Sequence, residues 1–496
     1  MSFTSRIAAA AARGYGMFRL AAGAAVDPFF NYVTALLHGD GTNGAQNNTF
    51  LDSSTNNFTI TRNGNTTQGS FSPFSQTGWS GYFDGSGDYC TLSSNASMDF
   101  GTGNFTIECW VYTGVFSVSA AASRTIIGNS GNSYTMQLYI DTTSGRVVFG
   151  NTGSTFLQGT GTVADNQWHH VVVVRSGTGS NQIALFVDGN RQALGTNSQN
   201  YASGTIYLGA FDTGNGFWNG YISNLRIVKG TAVYDPTVAT LTVPTAPLTA
   251  VSNTALLTFQ SNRFLDNSTN AYTVTKVGDT SIQPFSPFNP TSAWSASSNG
   301  GSGYFDGSGD YLTAPDNAAF DLGAGAFTLE CFAYLNARAG AYDTLIAQWN
   351  NSSDSWLLLL MGNTIQFYGN GALAKSESVT ITTGQWYHFA CTRDSSNNLR
   401  LYANGVKLGS DTAYSTTLIN STASPSIGCR GDGLSTTNFN GYLSSVRVIK
   451  GSAEYTGSTY TVPTAPPTAI TNPSLLPNST NAGLYDNAAV GHYETV

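Results

Sequence analysis

The chain has 496 residues, 41% of them hydrophobic and only 10% charged, with a formal net charge of −8 and a pI near 5.0. That apolar content, with 25 Tyr and 28 Phe, supplies cores for more than one domain and excludes a disordered chain. The lack of any Lys/Arg block excludes nucleic-acid binding by phosphate neutralisation, and Gly, Ser, Thr and Asn in place of charge favour strands and tight turns over helices.

In chain order, the first feature is the apolar stretch from Ile7 to Val26. Arg13 and Arg19 interrupt it, so it is a poor bilayer span, and Arg13 also splits a would-be signal-peptide core. Ala8–Ala12 has high helix propensity, and Arg6 and Arg13 share a helical face, while Gly14, Gly16 and Gly23 weaken any continuation. Residues 1–32 are therefore expected to be a short helical or extended anchor that attaches the chain to a partner. No long period-3.6 segment follows residue 40. Instead, short runs alternate with period two. In 105–112, Phe105, Ile107, Cys109 and Val111 take one face, and Thr106, Glu108, Trp110 and Tyr112 the other. His170–Arg175 and Ile183–Val187 are further strands, the second ending in a hairpin signal, Asp188-Gly189.

The second half repeats the first. Tyr82-Phe83-Asp84-Gly85-Ser86-Gly87-Asp88-Tyr89 recurs letter for letter 222 residues later, at Tyr304–Tyr311. Phe105–Tyr112 returns as Phe327–Tyr334, Gln167-Trp168-His169-His170 as Gln385-Trp386-Tyr387-His388, and Asn219–Arg226 as Asn440–Arg447. Val243-Pro244-Thr245-Ala246-Pro247 returns as Val462-Pro463-Thr464-Ala465-Pro466, and Asn404-Gly405 repeats the hairpin turn. A period this long is a whole domain. The expected organisation is an anchor at 1–32, one β-sandwich at 33–250, a second at 251–470, and a tail at 471–496. In that tail Leu475-Leu476 and Asn478-Ser479-Thr480-Asn481-Ala482 echo the opening of a repeat. Cys109 matches Cys331, whereas Cys90, Cys391 and Cys429 align with Leu312, Val173 and, roughly, Ala210. Positions that alternate between Cys and apolar residues are core positions, so free, buried thiols are expected.

The blocks Trp168-His169-His170-Val171-Val172, Leu185-Phe186-Val187-Asp188-Gly189 and Asn219–Arg226, with Tyr82-Phe83-Asp84-Gly85 before them, resemble the laminin-G-like branch of the concanavalin A-like jelly rolls. The second half carries all four blocks. The resemblance implies an all-β architecture of two tandem jelly-roll sandwiches, a fold that hosts lectins, glycosidases and adhesion modules alike. Tandem copies carrying Phe71-Ser72-Pro73-Phe74 and Phe285-Ser286-Pro287-Phe288, joined by Val-Pro-Thr-Ala-Pro linkers, also resemble virion proteins of tailed bacteriophages, where such domains decorate tail fibres or capsids.

Glu108 and Glu330 occupy matching positions beside Trp110 and Tyr112. On an exposed sheet face they would contact a sugar flanked by an aromatic platform; on a covered face they would pair across strands with Arg, Lys or Tyr. The glycosidase branch of this fold carries Glu-x-Asp-x-x-Glu on one strand, and no such string occurs here. Laminin-G-like domains often bind one Ca²⁺ through loop oxygens, which points to Asp84, Asp88, Asp306 and Asp310. The same Asp-Gly-Ser-Gly-Asp loop also reads as a glycine turn with Asx bonds. His169 lacks a metal role because its repeat partner is Tyr387. No cofactor is expected beyond that calcium. The expected function is a non-enzymatic protein of the virion surface, made in the host cytoplasm. It would be a homo-oligomer, a trimer by preference, joined to other virion proteins through residues 1–32 and presenting its sandwiches to host-surface glycans, with no membrane or nucleic-acid partner. A secreted bacterial carbohydrate-binding or adhesion protein is the main alternative, and a glycan-cleaving enzyme the third.

Overall fold

A computed structural model of the chain describes residues 33–37, 61–63, 67–69 and 78–466, apart from 95, 115–122, 131–135, 152–153, 203, 279, 285–295, 339–340, 351–353 and 432–436. The expected anchor at 1–32 and tail at 471–496 lie outside the described residues.

Strands dominate. The chain opens with β1 (Val33–Leu37), β2 (Thr61–Asn63) and β3 (Thr67–Gly69). The first long series is β4 (Ser80–Asp84), β5 (Tyr89–Leu92), β6 (Phe105–Thr113), β7 (Ser123–Ser130), β8 (Met136–Asp141) and β9 (Arg146–Asn151). It continues with β10 (Ser154–Thr162), β11 (Gln167–Arg175), β12 (Ile183–Val187), β13 (Asn190–Gly195), β14 (Thr205–Leu208) and β15 (Asn219–Lys229). Three strands follow at β16 (Thr254–Thr258), β17 (Thr275–Val277) and β18 (Ser281–Gln283). The second long series is β19 (Ser302–Asp306), β20 (Tyr311–Thr313), β21 (Phe327–Leu335), β22 (Tyr342–Gln348), β23 (Trp356–Met361) and β24 (Thr364–Gly369). It ends with β25 (Ala372–Ser378), β26 (Trp386–Arg393), β27 (Asn398–Ala403), β28 (Val406–Ala413), β29 (Pro425–Ile427) and β30 (Asn440–Lys450).

These strands form two sandwiches of the expected all-β class. The first packs an eight-stranded sheet, β13-β12-β11-β6-β15-β4-β18 with β16 also on β15, against a seven-stranded sheet, β10-β9-β8-β7-β14-β5-β17. The second packs β28-β27-β26-β21-β30-β19-β3, with β1 on β30, against β2-β20-β29-β22-β23-β24-β25. The predicted alternation sets the cores. Phe105, Ile107, Cys109 and Val111 of β6 enter the first, opposite Val171 and Val173 of β11. Phe327, Leu329, Cys331 and Ala333 of β21 enter the second. All five cysteines are buried and free. The hairpin turns form as read: Asp188 and Gly189, and Asn404 and Gly405, all have positive φ, which the two-residue turn of type I′ demands.

The domain boundaries need correction. Of the 33–250 unit, β1–β3 belong to the second sandwich: β1 pairs with β30, β2 with β20 and β3 with β19. Of the 251–470 unit, β16–β18 belong to the first, pairing with β15, β5 and β4. Each sandwich is thus closed by a three-stranded strap that precedes the other one in the chain. The physical reason is that a sequence period fixes the length of a unit but not its phase, and strand pairing alone chooses where a unit begins in space. The first strap, meaning the β16–β18 strap of the first sandwich, also bridges the sandwiches. Ile282 donates its N–H to the Gly384 carbonyl at 2.8 Å, Trp386 donates to Asn262 at 3.0 Å, and Phe332, Tyr334 and Trp386 share the first sandwich's core cluster with Ile282.

Candidate functional site

The outward face of β6 carries Glu108, Trp110 and Tyr112. The chain after β15 crosses that face. Ala232, Tyr234 and Leu241 pack there over Val172, Val174, Ala184 and Phe186, so Val171–Val174 of β11 are buried on both sides and read as an unbroken valine run. Glu108 is 0% exposed beneath this cover, and Glu330 is 2% exposed in the second sandwich. Arg226 donates from Nε to Glu108 Oε1 at 2.9 Å and from Nη2 at 2.5 Å. The Tyr234 hydroxyl donates to Oε2 at 2.8 Å, and His170 Nε2 lies 3.4 Å from the same oxygen. The second sandwich repeats this set with Arg447, Tyr455 at 2.7 Å and His388 at 3.4 Å around Glu330. Burial alone would raise each carboxyl. The Arg447 charge, with His388 and Tyr455, instead holds Glu330 down at about 2, and the His170 contact and Arg226 charge lower Glu108.

The exposed-face expectation for Glu108, Glu330 and Trp110 is therefore corrected. The two carboxylates are cross-strand partners of arginines on a covered face, and Trp110, 9% exposed, packs 5.1 Å from the His170 ring. Tyr112 differs. It is half-buried in an aromatic ladder across the sheet, with ring centroids 5.0 Å apart for Tyr82–Tyr221, 5.9 Å for Tyr221–Tyr112 and 5.6 Å for Tyr112–Trp168. Tyr82 and Trp168 are half-buried too. The second sandwich repeats the ladder with Tyr304, Tyr442, Tyr334 and Trp386 at 5.1, 5.9 and 5.5 Å. There the first strap covers the inner end: Tyr334 is 3% and Trp386 1% exposed, and the Tyr334 hydroxyl donates to the Ile282 carbonyl at 3.3 Å.

The aspartate loops are glycine turns. Asp88 Oδ2 accepts the Asp84 N–H at 3.0 Å, and Asp84 Oδ1 accepts the Ser86 N–H at 2.7 Å; Asp310, Asp306 and Ser308 repeat both distances. Gly85, Gly87, Gly307 and Gly309 take positive φ. Both carboxylates of each loop thus serve its own backbone, and among the described residues no three His, Cys, Asp or Glu side chains group to hold a metal ion. At Asp84, Asp88, Asp306 and Asp310, the candidate calcium ligands, the structure shows the glycine turn with Asx bonds. His169 is structural, held by Asp188 at 2.7 Å and Asp165 at 2.9 Å. Sequence reasoning missed Arg175 and Arg393. Each is fully buried over a phenylalanine ring and donates to backbone carbonyls, Gly101, Gly103 and Gln199 for one and Gly323, Gly325 and Thr416 for the other. The signal available was their recurrence in an otherwise charge-poor repeat. Among the described residues no helix is long and apolar enough to cross a membrane.

A family model described as the concanavalin A-like lectin/glucanases superfamily (laminin G type) matches residues 84–233 and 306–454, more than half of the chain. No protein with a curated description matches. Solved structures similar to the chain include a putative carbohydrate binding protein from Bacteroides ovatus, at 19% identity over 42% of this chain and 60% of that one, with a TM-score of 0.31. Domains LG4–5 of the mouse laminin α1 chain are 13% identical over 76% of this chain and 90% of that one, with a TM-score of 0.24. Domain 4 of AbnA, an arabinanase from Geobacillus stearothermophilus solved with arabinotriose, is 17% identical over 34% of this chain and 78% of that one, with a TM-score of 0.25.

Proposed function

The chain belongs to the concanavalin A-like lectin/glucanases superfamily, and from that premise we propose that it is a non-enzymatic glycan-binding protein, presented in many copies on a virion surface. The observation that carries the binding reading is the aromatic ladder of the first sandwich, where Tyr82, Tyr112 and Trp168 keep part of their rings in solvent. A half-exposed ring offers its face to the C–H side of a sugar, and repeated weak contacts add through avidity. The non-enzymatic reading is supported by the matched carboxylates, Glu108 and Glu330, which are locked under arginines and tyrosines with no access to a substrate. The virion placement is supported by the resemblance of the tandem copies and their Val-Pro-Thr-Ala-Pro linkers to bacteriophage proteins. In that setting residues 1–32 would join other virion proteins and the chain would self-associate, as a trimer by preference.

Binding to an array of bacterial envelope glycans tests the first part. Trp168→Ala and Tyr112→Ala are expected to weaken the captured signal about 3–10-fold each, the range of an aromatic stacking contact, with the melting temperature little changed. Equal binding by wild type and both variants would end the assignment to this ladder. Antibody labelling of intact particles tests the second part. Absence from particles, with the chain found in culture medium, would favour the secreted bacterial alternative.

A further inference from the structure

The second sandwich is completed by a strap that lies far from it in sequence. Leu37 of β1 pairs with Val446, Arg62 of β2 with Leu312, and Gln68 of β3 with Gly303. The strap touches both sheets of that sandwich, since β1 and β3 lie in one and β2 in the other. The chain then leaves it and enters the first sandwich at β4, after residues 70–79 only. The first strap does the converse, closing the sandwich that precedes it before the chain crosses at 284–301 to β19.

We propose that β1, β2 and β3 are an exchangeable closing element, and that the partner they fit is the second sandwich of another copy of this chain. The strap's backbone pairs are the same whichever copy supplies them, because the segment is joined to the second sandwich by no short hairpin. Without a strap, that sandwich exposes the β30 flank beside β19, together with the outer edges of β19 and β20. Bare edges of this kind recruit strands from other chains. Occupying them in trans satisfies every hydrogen bond that the cis strap satisfies, so cis and trans closure differ mainly in effective concentration and in the linker. A short crossing gives the cis strap an effective concentration on the order of millimolar. Trans closure therefore gains when copies fold together or are held side by side. Reciprocal exchange links copies into closed sets while leaving the first sandwich and its aromatic ladder intact.

The test uses the full chain and two positions that face each other across the strap, Thr61 and Thr313. Chains carrying only Thr61→Cys and chains carrying only Thr313→Cys are refolded together over a range of concentrations, then mildly oxidised and separated without reductant. The five native cysteines are buried and compete little. A covalent heterodimer is expected, its share rising about tenfold for a tenfold rise in concentration while it stays minor. The doubly substituted chain should close within itself when dilute. A mixture that stays monomeric at every concentration, while the double variant closes in cis, overturns the proposal. So does a double variant that forms no cross-link, because the strap then does not sit where β2 sits. The pair Thr67→Cys and Tyr304→Cys reports on the other sheet and guards against local damage from the first pair. Neither readout involves glycan, so failure here is separable from failure of the binding assignment.

Discussion

In the second sandwich His388 Nδ1 meets the Tyr460 hydroxyl at 2.6 Å, and Tyr460 stacks on Tyr455 with centroids 3.6 Å apart. In the first sandwich the repeat places Leu241 where Tyr460 stands, and the buried His170 Nδ1 has no hydrogen-bond partner among the described residues. The carboxylate beneath each histidine nevertheless keeps the same arginine and tyrosine partners. The comparison separates what the fold requires from what it tolerates. A buried carboxylate must be paired, because an unpaired one is prohibitive, whereas a single ring nitrogen left unsatisfied is a smaller cost that packing can absorb. The same two sandwiches differ at the ladder's end, where Trp386 is buried under a strap and Trp168 is half-buried.

The largest test of that comparison removes the arginines. Arg226→Ala and Arg447→Ala should each destabilise their own sandwich by about 3–5 kcal/mol, seen as a split calorimetric transition. Similar values in both halves would confirm that the pairing, not the histidine's surroundings, carries the cluster. Acid should act on the same groups. The Glu330 carboxyl is held near 2 in the folded chain against an ordinary 4.5, so its contribution is complete above the ordinary value and disappears as pH falls through the folded one. Glu108 is lowered too and titrates in the same sense. Glu330→Gln should flatten the acid limb of a stability–pH curve for the second sandwich, and an unchanged limb would break the assignment. Next in size is the ladder: Trp386→Ala should cost about 3–5 kcal/mol, the range for a buried tryptophan, and clearly more than Trp168→Ala. Equal losses would mean that the strap does not set the two apart. The smallest effect is the reciprocal exchange. Tyr460→Leu should cost about 1 kcal/mol by leaving His388 as His170 is, and Leu241→Tyr should recover part of that in the first sandwich, both read as shifts in denaturant midpoint.

Much of this was legible in the letters. Period two in 105–112 named the residues that enter the core, Asp188-Gly189 and Asn404-Gly405 named two turns, and alignment of Cys90 with Leu312 named a core position. Glu108 was harder. Alternation tells which residues share a face but not whether a later segment covers that face, and the cover here is Tyr234 and Leu241, more than 120 residues on. Trp110 went the same way. The phase of the repeat was invisible for a related reason: any cut of a periodic string gives units of equal length, and only the pairing of β1 with β30 shows which cut the sheets obey. Arg175 was read only as the end of a strand, because a guanidinium satisfied wholly by carbonyls has no acidic partner in the sequence to betray it.

The way β1 lies on β30 has a mechanical consequence. The two strands are antiparallel, and Val33, where β1 begins, sits opposite Ile449, one residue from the end of β30. A pull applied between Val33 and Lys450 therefore loads both strands at the same end. Their bonds open one after another, like a zipper, instead of sharing the load in shear. The whole of the first sandwich lies inside the loop that this contact closes, so tension bypasses it until β1 has peeled away. Under stretching, the second sandwich should yield first and at low force, while the half carrying the exposed ladder stays folded.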